Sequence, residues 1–353
     1  MKIAITGGAG FIGTSIAIFL KQKYPGYKIE AFDNLVRKGS ELNIPDLEKE
    51  NIKFTRGDIR NSEDLKQLGK FDCMIEASAE PSVLSGLDGS PEYIIDNNLT
   101  GAINCFNTCL KHEAHLIFLS TSRVYPISLI EQANYEELET RFAFAEHQTI
   151  EGISEKGISE KLALDHSRSF YGTTKLAAEY LIKEYETFYN IKTAVTRFGV
   201  VAGPKQMGKA NQGVATLWLA KHYWKQKLNY IGYGGTGKQV RDILHIDDLL
   251  SLIDMQVHQT EKFTGRVFNA GGGIANSLSL LEMTELCKEI TGNRINIESI
   301  TENRPADLKA YISDNTKIEH ATGWKPLKGT TETFGDIFNW INKNEQALKP
   351  FLT

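Results

Sequence analysis

Tyr171 and Lys175 stand four positions apart in Tyr171-Gly172-Thr173-Thr174-Lys175, inside a stretch of helical periodicity from Phe170 to Tyr189. On a helix, residues i and i+4 share a face, so a phenol and an ammonium are presented to one spot. A nearby Lys⁺ favours the phenolate of a tyrosine whose ordinary pKa is ~10. Such a phenol can take a proton from a hydroxyl while hydride leaves the same carbon. Ser120-Thr121-Ser122 closes the apolar run that begins at His115, and Thr121 at that strand end can hydrogen-bond the reacting oxygen. Tyr-x-x-x-Lys is common by itself. It gains force only beside a hydride acceptor.

The N-terminal residues supply a place for one. Lys2-Ile3-Ala4-Ile5-Thr6 is short enough for a single buried strand. It breaks into Gly7, Gly10 and Gly13, then resumes as Phe11, Ile12, Ile16, Ala17 and Leu20 at helical spacing. The G-x-x-G-x-x-G spacing is a variant of the dinucleotide fingerprint: glycines let backbone N–H groups approach a diphosphate, and the helix start favours its charge. The next strand, Lys28 to Phe32, ends at Asp33, where an acid can hold the adenosine ribose hydroxyls and repel a 2′-phosphate, which favours NAD over NADP. Arg37 and Lys38 follow and moderate that preference. A third strand, Phe54 to Arg56, leads into Gly57-Asp58, whose acid can receive the adenine amine. With oxidised nicotinamide bound, a second positive charge would favour the Tyr171 phenolate.

The elements that must position these groups alternate. Strands end near Asp33, Asp58, Ala77 to Ala79 and Ser120, with helical stretches between them, including Tyr93 to Lys111. This rhythm predicts an α/β fold of Rossmann type, a doubly wound parallel sheet with ligands at the carboxyl ends of its strands. A smaller, interleaved mixed α/β lobe completes the expected architecture. The expected division is 1–198 with 240–258 returning to the same sheet, against 199–239 and 259–353 for the lobe. Residues 126–164, which include the near-repeat Gly152-Ile153-Ser154-Glu155-Lys156 and Gly157-Ile158-Ser159-Glu160-Lys161, read as an irregular surface excursion. Asp247-Asp248 reads as a helix start, where acids offset the dipole, and His245 and Trp324 as packing.

A formal net charge of −4 over 353 residues gives no global footprint for nucleic acid or an anionic membrane. No apolar run approaches the ~20 residues of a membrane span, and the expectation is a soluble cytoplasmic protein. Cys105 and Cys109 can share a helix face, but no further ligands complete a zinc set, so no metal is expected.

Taken together, Thr6-Gly7-Gly8-Ala9-Gly10-Phe11-Ile12-Gly13, Asp33-Asn34, Ser120-Thr121 ahead of Val124-Tyr125, and Tyr171 with Lys175 resemble the extended short-chain dehydrogenase/reductase family of nucleotide-sugar enzymes. The resemblance implies a catalytic set of Thr121, Tyr171 and Lys175. It implies NAD contacts at Gly7, Gly10, Phe11, Ile12, Asp33, Asn34, Arg37, Asp58, Ile59, Ala77, Ser78, Ala79, Asn98, Ser120 and Phe198, besides Tyr171 and Lys175. It further implies substrate contacts at Arg123, Lys209, Gln212, Arg241, Arg304 and Asp307, with Arg241 and Arg304 toward the diphosphate and Asp307 toward ribose. A homodimer or homotetramer is expected, built through the helices near 96–111 and 171–188.

In dehydrating relatives an acidic pair follows the catalytic Thr. Here Ser122 and Arg123 stand there, and a guanidinium cannot serve as a general acid at neutral pH. Epimerisation through oxidation and hydride return is left. A narrower resemblance, to the branch acting at C2 of CDP-linked 3,6-dideoxyhexoses, rests on Asp33 to Gly39, Gly57 to Asn61, Glu139-Thr140-Arg141-Phe142, Gly237 to His245 and Asn276 to Glu282. Pro126 and Glu76 depart from it, since a Gly and a His are usual there, and the 126–170 stretch is longer. The alternatives are a UDP-hexose 4-epimerase and, from another class, a non-catalytic NAD-binding protein.

Overall fold

Seven short apolar runs become the strands of one sheet. In chain order the elements are β1 (Lys2–Thr6), α1 (Phe11–Lys23), β2 (Lys28–Asp33), β3 (Lys53–Arg56), β4 (Cys73–Glu76), α2 (Gly101–His112), β5 (His115–Thr121), α3 (Phe170–Tyr189), β6 (Thr193–Phe198), α4 (Ile246–His258) and β7 (Val267–Ala270). The protein is described here from a computed structural model, which covers residues 1–87, 89–208 and 213–352. The seven strands lie in the order β7-β6-β5-β4-β1-β2-β3. β1 pairs in parallel with β2 and β4, β2 with β3, and β4 with β5, in a register that sets Ile3 beside both Ile29 and Cys73. Every residue of β4 and β5 is buried, as expected where helices cover both faces of a parallel sheet.

The chain divides into two compact units. Unit 1 is Met1–Val124, Phe170–Arg197 and Leu249–Phe268; unit 2 is Tyr125–Ser169, Phe198–Asp248 and Asn269–Thr353. In unit 1 one core gathers Phe32, Phe71, Phe106, Phe118, Ile182 and Val195, so that residues of α2 and α3 pack against strand residues. In unit 2 a second core joins Trp218, Leu219, Met283, Cys287, Phe334, Ile337 and Ile341 from the helices Val214–Tyr223, Leu280–Thr291 and Thr330–Lys343. Ser279 and Glu282 form a reciprocal capping box that starts the second of these helices.

Three expectations are corrected. The strand Val240–His245 does not join the large sheet. It pairs with Val200–Ala202, Ser277–Ser279 and Ala310–Tyr311 in a separate four-stranded sheet. The reason is visible at Asp242, fully buried, whose carboxylate accepts the N–H groups of Gly273 (3.2 Å) and Ser313 (3.0 Å) and so ties the strand to later residues of unit 2. β7, which lies in the stretch expected for the lobe, joins the large sheet beside β6 instead, and unit 1 runs on to Phe268, past the expected boundary at 258. Residues 125–169 belong with unit 2 and are not an irregular surface excursion. They hold a hairpin, Tyr135–Glu137 with Phe142–Phe144, and a second in which Ile153–Ser154 of the near-repeat pairs antiparallel with Gly157–Ile158. Ile158 is fully buried, its carbonyl accepts from the Asn269 side chain at 2.9 Å, and Tyr125 donates to the same amide at 2.7 Å.

Candidate active site

Helix α3 presents Tyr171, Lys175 and Glu179 at one-turn intervals, and each meets a group from the sheet of unit 1. The Tyr171 hydroxyl is hydrogen-bonded to Thr121 at the end of β5, whose Oγ1 also accepts the Arg123 N–H at 3.2 Å. Lys175 Nζ lies 3.3 Å from Glu76 Oε2 on β4 and 3.9 Å from the Phe118 ring centroid. Glu179 accepts the Ser120 hydroxyl and a bidentate contact from Arg197 of β6, at 2.7 Å for the closest pair. Lys175, Glu76 and Glu179 are 1–2% exposed, so each charge is compensated by a specific partner and not by water. The i, i+4, i+8 spacing thus bolts the helix to β4, β5 and β6 and fixes where the phenol sits.

Electrostatics here differ from the sequence expectation. Burial pushes the Tyr171 phenol above its usual range, opposed by the Thr121 hydrogen bond and the Arg123 charge, while Glu76 pushes it further up. Lys175 spends its ammonium on Glu76, itself pushed up by burial and held back by that pairing. Arg123 is a cation acting on the phenol in this arrangement. Its position, in the turn Ser122–Val124 directly after β5, suits that role.

The dinucleotide cradle is built at the end of β1. Gly7 has φ +63°, and a Cβ on it would sit 2.7 Å from the Ala77 carbonyl oxygen; a Cβ on Gly13 would sit 2.2 Å from the Gly7 oxygen. Gly10 precedes α1 with no side-chain cap and no acid in the first turn, which leaves the helix-start amides open to an anion. Asn43 donates to the Ala9 carbonyl and Thr14 to that of Gly8, both within 2.9 Å, so the loop is held from behind. Asp33 ends β2 beside it, one carboxylate oxygen taking the Ala9 N–H (3.1 Å), the other that of Leu35 (2.8 Å). Phe11 and Ile12 open α1 half-buried, and Ala77, Ser78 and Ala79 form the half-buried loop after β4. These residues fit a bound dinucleotide.

Several of the expected contact residues also have structural partners within the protein. Asn98, 2% exposed, accepts the Glu80 N–H (2.7 Å) and donates to the Glu80 carbonyl (2.9 Å), fastening the loop that follows β4. Ile59 is buried in the unit 1 core against Gly101, and the Ser120 hydroxyl is committed to Glu179. Asp58 is paired to Arg60 at 2.6 Å and accepts from Asn34 at 3.1 Å; the Arg60 guanidinium holds its carboxyl down at about 2. Burial lowers the Arg37 guanidinium, opposed by the Glu80 charge. Phe198 ends β6, buried, within unit 2.

In unit 2, Arg241 and Asp307, expected on sequence grounds to face diphosphate and ribose, form one ion pair at 2.6 Å. The same guanidinium donates to the carbonyls of Val240 and Leu308. Arg304 precedes Asp307 in a loop where its carbonyl accepts the Asp307 N–H and Ala306 has φ +60°. Lys209 and Gln212 lie outside the described residues. Among the described residues no group of three or more metal-ligating side chains occurs, and no helix is long and apolar enough to cross a membrane. His245 and Trp324 are buried as packing residues, the indole donating to the Asp248 carbonyl.

The sequence model of the NAD dependent epimerase/dehydratase family matches residues 3–271. The chain belongs to that family. A CDP-paratose 2-epimerase of Salmonella typhi is 31% identical over 97% of this chain and 99% of its own length. A bifunctional UDP-glucose 4-epimerase and UDP-xylose 4-epimerase of Arabidopsis thaliana is 26% identical, over 97% and 96%. Among solved structures, the UDP-glucose 4-epimerase of Thermotoga maritima with UDP-glucose superposes with a TM-score of 0.77 at 25% identity, covering 98% of this chain and all of that one. The Thermus thermophilus UDP-glucose 4-epimerase complex with NAD has the same TM-score at 23% identity and shares the fold, over 97% and 99%. NAD is the family's cofactor, and the glycine cradle with Asp33 is where this family member would hold it. Glu179, Arg197 and Asn43 were missed by sequence reasoning, as was the pairing of Glu76 with Lys175. The spacing of Glu179 from Tyr171 and Lys175, two helical turns and one, was the available signal for the first partner on that face.

Proposed function

We propose that this family member epimerises a nucleoside-diphosphate hexose, with a CDP-linked sugar of the paratose/tyvelose type inverted at C2 as the favoured substrate. Tyr171 takes the proton of one sugar hydroxyl and returns it, with Thr121 on the same oxygen. Bound NAD supplies the hydride acceptor and later the donor. Arg123 keeps the phenol ionisable against its burial, and Lys175 is held in place by its ion pair with Glu76. Arg241 and Arg304 are assigned to the diphosphate and Asp307 to ribose. The observation that carries the reading is the hydrogen bond between Thr121, at the end of β5, and Tyr171, on the helix that also holds Lys175. Inversion fits better than dehydration because Ser122 and Arg123 offer no general acid after Thr121.

The choice of a CDP-sugar is supported by the 31% identity to a CDP-paratose 2-epimerase along nearly the whole chain. The second reading is a UDP-hexose 4-epimerase, favoured by relatives at 26% identity. Incubation with CDP-, UDP-, GDP- and dTDP-hexoses in separate tubes, with proton NMR of each sugar, tests both. Inversion at C2 of the CDP-sugar is expected. Inversion at C4 of a UDP-sugar would transfer the assignment to the second reading, and no inversion in any tube with NAD added would contradict both.

A further inference from the structure

Glu76 is a buried acid to which the proposed reaction gives no proton. It closes β4, in a register that sets it beside Thr6 at the end of β1 and Phe118 of β5. One carboxylate oxygen accepts the Ser78 N–H at 3.0 Å and so holds the start of the loop Ala77 to Ala79; the other faces the Lys175 ammonium at 3.3 Å. The Phe118 ring, its centroid 3.9 Å from Lys175 Nζ, flanks the ammonium as well. The strand order puts β4 between β1, which leads into the glycine cradle, and β5, which carries Thr121. In an open α/β sheet a ligand lies across the carboxyl ends of such strands.

The Glu76 charge reaches the reaction centre. It acts on the Tyr171 phenol in the same sense as Glu80 and against Arg123. In the proposed reaction the sugar C–H bond breaks as its hydride passes to the nicotinamide. The hydroxyl becomes a carbonyl, and Tyr171 takes its proton. The ring thereby goes from one positive charge to none, and the return step reverses each change. Hydride passes only between atoms in near contact. A ring that exchanges hydride with a carbon whose oxygen meets Tyr171 therefore lies within reach of the same field, and charges this deeply buried are weakly screened. The Lys175 ammonium alone would favour the neutral, reduced ring. Glu76 offsets it.

We propose that Glu76 sets the balance between the two oxidation states of the bound cofactor, holding it toward NAD⁺ by offsetting the Lys175 charge. The inference rests on the NAD-dependent sugar reading above and adds to it a residue outside the proton path. The test reads affinity and not turnover. At about pH 8, where an ordinary imidazole is neutral, the protein is equilibrated with NAD⁺ and NADH at equal concentrations. The nucleotide retained after desalting is released by denaturation, separated by oxidation state and quantified. The ratio of the two forms cancels any loss of affinity common to both. Glu76→Gln is expected to shift that ratio toward NADH about tenfold relative to wild type. Glu76→His carries the side chain usual here in the branch the sequence resembles; it is expected to shift the same way and decides the matter where Glu76→Gln does not fold. The double variant Glu76→Gln/Lys175→Met loses both charges and is expected to return near the wild-type ratio. An unshifted ratio in the folded single variants, judged by thermal midpoint, would overturn the inference and leave the epimerase reading standing. A tenfold shift that persists in the double variant would assign the effect to packing and overturn it too. Retention of neither nucleotide by wild type would overturn the reading on which it rests.

Discussion

Lys175 is 2% exposed and faces a carboxylate that is 1% exposed, so the central cation of the site is neutralised before any ligand arrives. In the proposed reaction the phenol one turn away carries the chemistry, and Tyr171→Phe removes the group placed to move the proton. Turnover is expected to fall by about 10²–10⁴-fold or more while NAD remains bound, as measured by progress curves beside nucleotide released on denaturation. Glu76 raises the Tyr171 phenol, after burial and against Thr121 and Arg123. Removing that negative charge in Glu76→Gln should therefore lower it. The limb of kcat/KM that rises with Tyr171 deprotonation is then expected at lower pH than in wild type; an unmoved limb would show that Glu76 acts only through packing. That Tyr171 and Lys175 share one helix was legible because it follows from local spacing. The Glu76 partner was not, since it stands 99 positions from Lys175 and only strand order brings β4 beside the helix.

At the scale of elements, the β1–α1 turn leaves no room for a side chain. Gly13→Ala would place a methyl 2.2 Å from the Gly7 oxygen, and either the helix start or the loop must shift. Purified Gly13→Ala protein is expected to carry little NAD while keeping its helical circular dichroism, and full NAD occupancy would contradict the cradle. This turn was readable from glycine spacing, and the helix Phe170–Tyr189 from periodicity, with matching ends. The strand Val240–His245 was misplaced because periodicity reveals a buried strand but not which sheet buries it; the deciding contacts are Asp242 to Gly273 and Ser313. The hairpins of 125–169 were hidden for a related reason. Their acidic composition reads as surface, yet Phe142, Phe144 and Ile158 are each buried.

For the whole molecule, stability depends on buried groups that must stay neutral. His245 is 1% exposed, and its Nδ1 accepts the Asp247 N–H at 2.9 Å, which requires an unprotonated nitrogen there. Burial lowers its pKa from 6.5, opposed by the charge of Asp247. A base lowered in the folded state adds stability that is fully present above its unfolded pKa and lost as pH falls below it. The thermal midpoint is expected to drop as pH falls from about 6.5, and the drop to be shallower in His245→Gln; equal slopes would remove His245 from this role. The family was legible across the whole chain because its motifs recur at fixed strand ends. Base and sugar identity were not, since relatives named for CDP-sugars and for UDP-sugars both match along nearly the whole chain.

Transient oxidation and hydride return make one demand that no proton-abstraction route shares. The hexose that inverts in the NMR panel is prepared with deuterium on the carbon that inverts and converted in ordinary water. Deuterium is expected to stay on that carbon in the inverted product, carried away and returned within one bound complex. Its replacement by solvent hydrogen would contradict the mechanism assigned to Tyr171 and NAD.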